Sequence, residues 1–125
     1  MKELTRAEEQ VMQILWKEGN AFIKELLPHF TDPKPAYNTV STIVRILEKK
    51  GFVGHESFGK SHRYFPLISK ESYREARFSV LMKGYFNNSM KQVLSHFSST
   101  RNINMDEADE LIRMLEELKQ QKGSS

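Results

Sequence analysis

At 125 residues and 14.6 kDa the chain has room for one domain, or for a small module with an appendage, and is too short for a (β/α)8 barrel or most two-domain enzymes. Its 38% hydrophobic and 28% charged residues are a globular balance, and the absence of Cys excludes disulfide scaffolds, thiolate zinc sites and thiol catalysis together. The net charge of +3 and pI of about 9.2 admit a polyanionic partner without requiring one.

Residues 1–10 lack the apolar core of a signal peptide, and no run approaches the ~18 apolar residues of a spanning helix. The expectation is a soluble, cytoplasmic protein with no membrane insertion. Thr5 and Glu8 have capping-box spacing: the Thr5 hydroxyl can accept from the Glu8 amide while the Glu8 carboxylate reaches back. Ala7, Val11, Ile14, Leu15 and Trp16 follow at helical spacing until Gly19-Asn20 stops the run. A second, shorter helix is expected through Phe22, Ile23, Leu26, Leu27 and Phe30. Asp32-Pro33-Lys34-Pro35 then breaks the chain, because the residue before each Pro is pushed out of the α region.

The third helix, Tyr37 to Lys50, has the cleanest period. Val40, Ile43, Val44 and Leu47 fall at i, i+3, i+4 and i+7, and Gly51 is a natural stop. The opposite face collects Asn38, Thr42, Arg45 and Lys49, with Ser41 beside them and Glu48 to one side. The period then changes: Val53–Phe58 and His62–Phe65 read as strands joined by a Gly59-Lys60-Ser61 turn and closed by Pro66. Three helices followed by a hairpin is the order of a winged helix-turn-helix, whose third helix enters the major groove.

From Ser69 onwards the chain is helical again and reads as separate from the first core. Tyr73, Ala76, Arg77, Val80, Leu81, Gly84 and Tyr85 trace one stripe, ending at Asn87-Asn88. Ser89 can cap a helix carrying Met90, Val93, Leu94 and Phe97, and Ser98 to Asn102 reads as a polar break. Asn104 with Glu107 repeats the capping geometry for a last helix bearing Ala108, Leu111, Ile112, Leu115 and Leu118, before a frayed Gly123-Ser124-Ser125 end. The fold class expected is mostly α with a small β-hairpin: a winged-helix DNA-binding domain over residues 1–68 and a helical dimerisation domain over 69–125.

The charge agrees with that division of labour. Residues 1–33 carry a net −2, 34–63 carry +4, 64–104 carry +4 and 105–125 carry −3. A cationic middle segment suits an anionic partner, although solvated helix faces give the same count. Phosphate contacts need cations or backbone amides, and base contacts need directed donors and acceptors. Arg45 suits a guanine O6/N7 pair, while Asn38 suits either adenine or, in the favoured reading, the helix N-cap. Ser41 and Thr42 are short enough for the helix to sit deep. Lys49, Lys50, Lys60 and Arg63 flank that face where phosphates would lie. With Thr39 these nine form the expected DNA-binding set.

The apolar stripe downstream needs cover, from the N-terminal module or from the same helices of a second chain. Dimerisation is favoured, since one winged helix seldom contacts enough DNA for specific affinity. Its expected residues are Leu81, Tyr85, Val93, Leu94, Phe97, Leu111, Ile112, Leu115 and Leu118.

Leu4-Thr5-x-Ala7-Glu8-x-x-Val11-Met12-x-Ile14-Leu15-Trp16 resembles the opening helix of the penicillinase repressor (BlaI/MecI-type) family. The run from Tyr37 to Val53 resembles that family's recognition helix and its exit into the wing. Tyr64-Phe65 before Pro66, and Met90-Lys91-x-Val93-Leu94-x-x-Phe97, fit as well. The resemblance implies a homodimeric repressor on double-stranded operator DNA, at dyads of TACA/TGTA half-sites. It also implies a membrane sensor with a zinc peptidase domain as partner, and cleavage before a Phe that aligns with the His96-Phe97 bond, where the family carries Asn at the His96 position. A copper-sensing branch of the family uses a C-terminal Cys cluster, which this chain lacks.

Other function classes fare worse. His29, His55, His62 and His96 are scattered without metal-ligand spacing, so no metal and no cofactor are expected. Asp106, Glu107, Asp109 and Glu110 are explained by the helix dipole, and no phosphate-binding or nucleophile motif occurs, so no enzyme is expected. A winged-helix protein-interaction module that never touches DNA is the alternative. It should carry acidic or apolar residues where Ser41, Thr42, Arg45 and Lys49 stand.

Overall fold

A computed structural model describes residues 2–100 and 104–123. The first helix, α1 (Arg6–Glu18), begins at Thr5: its Oγ1 accepts the Glu8 amide at 3.2 Å, and Glu8 Oε1 accepts the Thr5 amide at 2.9 Å. This is the reciprocal pair that the spacing predicts. The helix closes at Gly19, where φ is 85°, a value a residue with a Cβ rarely adopts.

The next segment departs from the expected helix through Phe30. Ala21–Phe22 form a short strand, β1, pairing antiparallel with Tyr64 and Arg63. Only Ile23–Leu26 are α-helical (α2), and Leu27–His29 tighten into a 3-10 turn around Pro28, which has no amide to continue the ladder. Helix α3 (Tyr37–Lys49) follows, with Ala36 as its N-cap in extended conformation. Asn38 is therefore not the cap. It stands within the first turn, because helical geometry resumes directly after the Pro35-Ala36 step.

Strands β2 (Val53–Phe58) and β3 (Ser61–Pro66) make the wing, in the sheet order β1-β3-β2. Ser61 pairs with Phe58, so the turn is the two residues Gly59 and Lys60, shorter than expected, with Gly59 at φ 63°. The core gathers Val11, Met12 and Leu15 of α1, Leu26 of α2, Val40, Val44 and Leu47 of α3, with Phe52, Val53 and Tyr64 from the wing. The α3 stripe read from the sequence is the stripe that is buried.

Helix α4 (Lys70–Tyr85) does not leave this core at once. Tyr73 is buried, 5.7 Å from the Trp16 ring and 5.8 Å from the Phe52 ring by centroids, and Trp16 Nε1 donates to the Ile68 carbonyl at 2.9 Å. The chain divides into two compact units between Ser79 and Val80, within α4 rather than before it. Those aromatic contacts are what tie the first half of α4 to the N-terminal unit.

In the second unit, Asn87 and Asn88 take left-handed φ values of 49° and 59°, and the Asn88 amide reaches the Met82 carbonyl at 2.9 Å. Helix α5 (Met90–Thr100) starts at Ser89, whose Oγ accepts the Gln92 amide at 3.2 Å. It continues through Ser98, Ser99 and Thr100, where a polar break is expected. Their hydroxyls donate back to the carbonyls of Ser95 and His96, which lets small polar residues ride in a helix. The rest of that expected break, Arg101 and Asn102, lies outside the described residues. Helix α6 (Met105–Gly123) is capped by Asn104 Oδ1 on the Glu107 amide at 2.8 Å, and includes Gly123, assigned above to the frayed end. Ser124 and Ser125 also lie outside the described residues. Among the described residues no helix is long and apolar enough to cross a membrane.

Candidate nucleic-acid interface

Because α3 buries Val40, Val44 and Leu47, its other side is turned outward by helical geometry. Asn38, Thr39, Thr42, Arg45 and Lys49 are exposed there, and Ser41 is half-buried. The face is organised. Thr42 Oγ1 donates to the Asn38 carbonyl at 2.9 Å, and Arg45 lies along the helix with Nε 3.4 Å from the Ser41 carbonyl and a terminal nitrogen 3.4 Å from Ser41 Oγ. These long bonds hold the guanidinium loosely and leave most of its donors uncommitted.

Beside α3 runs an open groove of about 900 Å³, whose walls include Ser41 and Arg45, the α2 residue Lys24, and Lys60, Ser61 and His62 of the wing. Lys60 is exposed at the tip of the turn. Arg63 is on β3, with its guanidinium 4.7 Å above the Phe58 ring and 3.8 Å from Glu56 Oε2; Phe58 in turn meets Phe22 edge-on at 5.8 Å. That stack fixes the outer side of the wing and shares the Arg63 charge with Glu56.

Lys50 is placed differently from the rest of the expected set. Its Nζ is 2.6 Å from Glu8 Oε1 and 3.4 Å from the Glu3 carbonyl, so it ties the end of α3 to α1. Burial pushes the Glu8 carboxyl up, but the Lys50 ammonium and the Thr5 amide outweigh it and hold the group below its usual range. Buried Tyr64 behaves oppositely: burial pushes its phenol up, Glu48 adds to the shift and Arg45 opposes it.

The histidines are less scattered than the sequence suggests. His55 and His62 stack with centroids 4.2 Å apart and planes 5° from parallel, and His55 Nδ1 meets Glu48 Oε2 at 2.5 Å. They are seven residues apart in sequence and come together only through the β2–β3 register. Lys24 was missed for a related reason, since a four-residue helix has no period to read. Among the described residues no cluster of three or more His, Asp or Glu is arranged to hold a metal.

In the second unit Leu81 and Tyr85 of α4, Leu94 of α5, and Leu111, Ile112, Leu115 and Leu118 of α6 are exposed. Val93 is buried inside the unit and Phe97 is half-buried, so these two fill its interior more than its surface. The His96-Phe97 bond lies within α5, with the His96 ring 5.9 Å from that of Phe86.

An outward polar and cationic face on α3, opposite the buried stripe expected of that helix and beside a wing, finds its counterpart among known proteins. Residues 4–117 match the penicillinase repressor family. The chain belongs to the penicillinase repressor family. Its members are transcriptional regulators, not enzymes. The penicillinase repressor of Bacillus licheniformis is 30% identical over 96% of this chain and 94% of its own. The methicillin resistance regulatory protein MecI of Staphylococcus aureus is 22% identical over 90% and 93%. The solution structure of the DNA-binding domain of the repressor BlaI superposes with a TM-score of 0.50 at 27% identity, over 58% of this chain and 94% of that domain. A MarR family protein from Bacillus stearothermophilus gives a TM-score of 0.52 at 18% identity over 98% of this chain and 77% of its own, a likeness of fold alone.

Proposed function

We propose that this DNA-binding transcriptional repressor of the penicillinase repressor family acts in the cytoplasm as a homodimer on operators of dyad symmetry. The observation that carries the reading is the α3 face: Ser41, Thr42, Arg45 and Lys49 stand outward, directly behind the fully buried Val40, Val44 and Leu47. Arg45 reads a base edge, Ser41 steadies it along the helix, Thr39 and Thr42 let the helix sit deep, and Lys49 and Lys60 meet phosphates. Asn38 reads a base rather than capping the helix. Arg63 braces the wing, and Lys50 braces α3 against α1.

The second copy covers the exposed leucine and isoleucine positions of α6 together with Leu81, Tyr85 and Leu94. Once one half-site is bound, the tethered second module meets its own half-site at high effective concentration. Cleavage of the His96-Phe97 bond by the peptidase domain of a membrane sensor would release the operator by detaching α6 and so the dimer, with no change in α3 itself. Because that bond is helical, α5 must open locally before a peptidase can take it as extended chain.

The test is the stoichiometry and affinity of the full chain on duplexes carrying one or two half-sites from its own upstream region. Two chains on the dyad, bound far more tightly than one chain on a single half-site, are expected. Equal affinity per half-site, with one chain on each, would contradict the dimer reading.

A further inference from the structure

The groove beside α3 is more apolar than a phosphate strand needs. Ile23 and Tyr64, both buried, lie deepest among its walls, and Phe22 of β1 meets Phe58 of β2 edge-on there at 5.8 Å. Tyr37, on the first turn of α3, turns an exposed ring to the same groove. Three cations, Lys24, Arg45 and Lys60, line it as well. The carboxylate among its walls, that of Glu25, already accepts the Phe22 amide at 2.9 Å. The volume of about 900 Å³ lies within the roughly 300–1,000 Å³ of small-molecule sites.

A DNA strand over this groove meets the cations with phosphates, but it keeps its bases stacked and brings no flat apolar body to Tyr37 and Phe58. A planar ring fits against those side chains, offset-stacked or edge-to-face. A carboxylate on that ring meets the fork of Arg45, whose 3.4 Å contacts with Ser41 leave most of its donors uncommitted. Exposed ion pairs contribute little by themselves, so the ring supplies most of the affinity and the charge selects the ligand.

We propose that the groove between α2, α3 and the wing is a ligand site for an aromatic carboxylate, which displaces the operator by occupying Arg45. Such a ligand is an inducer that acts without proteolysis. Binding rests on the groove alone, whereas displacement rests on the α3 and wing face being the DNA surface.

The probe is 2-naphthoate, titrated into the full chain and followed by calorimetry and by backbone amide NMR shifts. It is then added to the full chain on a labelled duplex from its own upstream region and on a scrambled duplex. Saturable binding is expected, with shifts at Lys24, Ser41 and Lys60 and none along α6. 2-Naphthylmethanol, which keeps the rings without the charge, should bind several-fold more weakly, and acetate, which keeps the charge alone, should not bind. With 2-naphthoate at about ten times its own dissociation constant, operator affinity should fall about tenfold or more. Tyr37→Ala should weaken the probe several-fold and leave operator affinity unchanged, whereas Arg45→Ala should weaken both. Should either variant fail to fold, the NMR footprint on the unaltered chain decides. No binding, or shifts confined to the helices beyond Val80, would overturn the proposal with the operator preference intact. Probe in the groove with operator affinity undiminished would overturn the displacement. Equal binding to both duplexes without the probe would overturn the DNA-face reading and the displacement with it, while shifts in the groove would uphold the ligand site.

Discussion

The ammonium of Lys50, at the end of α3, lies 2.6 Å from the carboxylate of Glu8, the residue that also closes the capping box of α1. One side chain therefore fixes both the start of the first helix and the end of the third, 42 residues away. The Glu8 carboxylate is only 6% exposed, so removing its partner leaves a desolvated charge.

Lys50→Met should destabilise the N-terminal unit by about 1–3 kcal/mol at neutral pH. The Glu8 carboxyl is held below its usual range in the folded chain. Its contribution is accordingly full above the ordinary carboxylate pKa and disappears as pH falls through the folded value. Thermal melting of the unaltered chain and Glu8→Gln should thus differ at pH 7 and converge as pH falls below the ordinary carboxylate range. A difference that grows on acidification would contradict the pairing.

Salt dependence separates the lysines. Lys49→Ala and Lys60→Ala should each lower the slope of log affinity against log salt by about 1, because each removes one phosphate contact. Lys50→Met should leave the slope unchanged. If Lys50→Met lowers it as the others do, Lys50 belongs with the phosphate contacts after all.

Arg45→Ala should cost about 1–3 kcal/mol of operator affinity and relax the preference at one base position, with melting unaffected. Ser41→Ala should give a smaller loss in the same direction, since Ser41 only steadies the guanidinium. Selection of binding sites from a randomised duplex pool reads both effects. An unchanged site preference in Arg45→Ala would remove it from the base-reading face.

Leu111→Glu combined with Leu115→Glu puts two carboxylates on the exposed apolar side of α6. Sedimentation equilibrium should show monomers that keep their helical content. A dimer surviving both changes would place the interface elsewhere.

Much of this was legible from local signals. The Thr5 and Glu8 cap, the buried α3 stripe, the Ser89 and Asn104 caps and the outward position of Arg45 all depend on residues within two helical turns of one another. What escaped depended on distant partners. Ala21–Phe22 become a strand only because β3 lies alongside, and two residues carry no alternation. Tyr73 looks like any stripe residue until Trp16 and Phe52 are seen around it. Lys50 reads as one more cation beside Lys49, and its real neighbour is 42 residues upstream. Asn38 is a good cap by composition, but Pro35 sets the helix start two residues earlier.

The central claim is that the α3 and wing face recognises a specific DNA sequence. Anisotropy titration of the full chain on a labelled duplex from its own upstream region, against a scrambled duplex at several salt concentrations, tests it most directly. Tight binding that prefers the native sequence by a factor of about 10³ or more, with a steep salt slope and two chains per site, is the expected result. Weak and equal binding to both duplexes across that upstream region would contradict it.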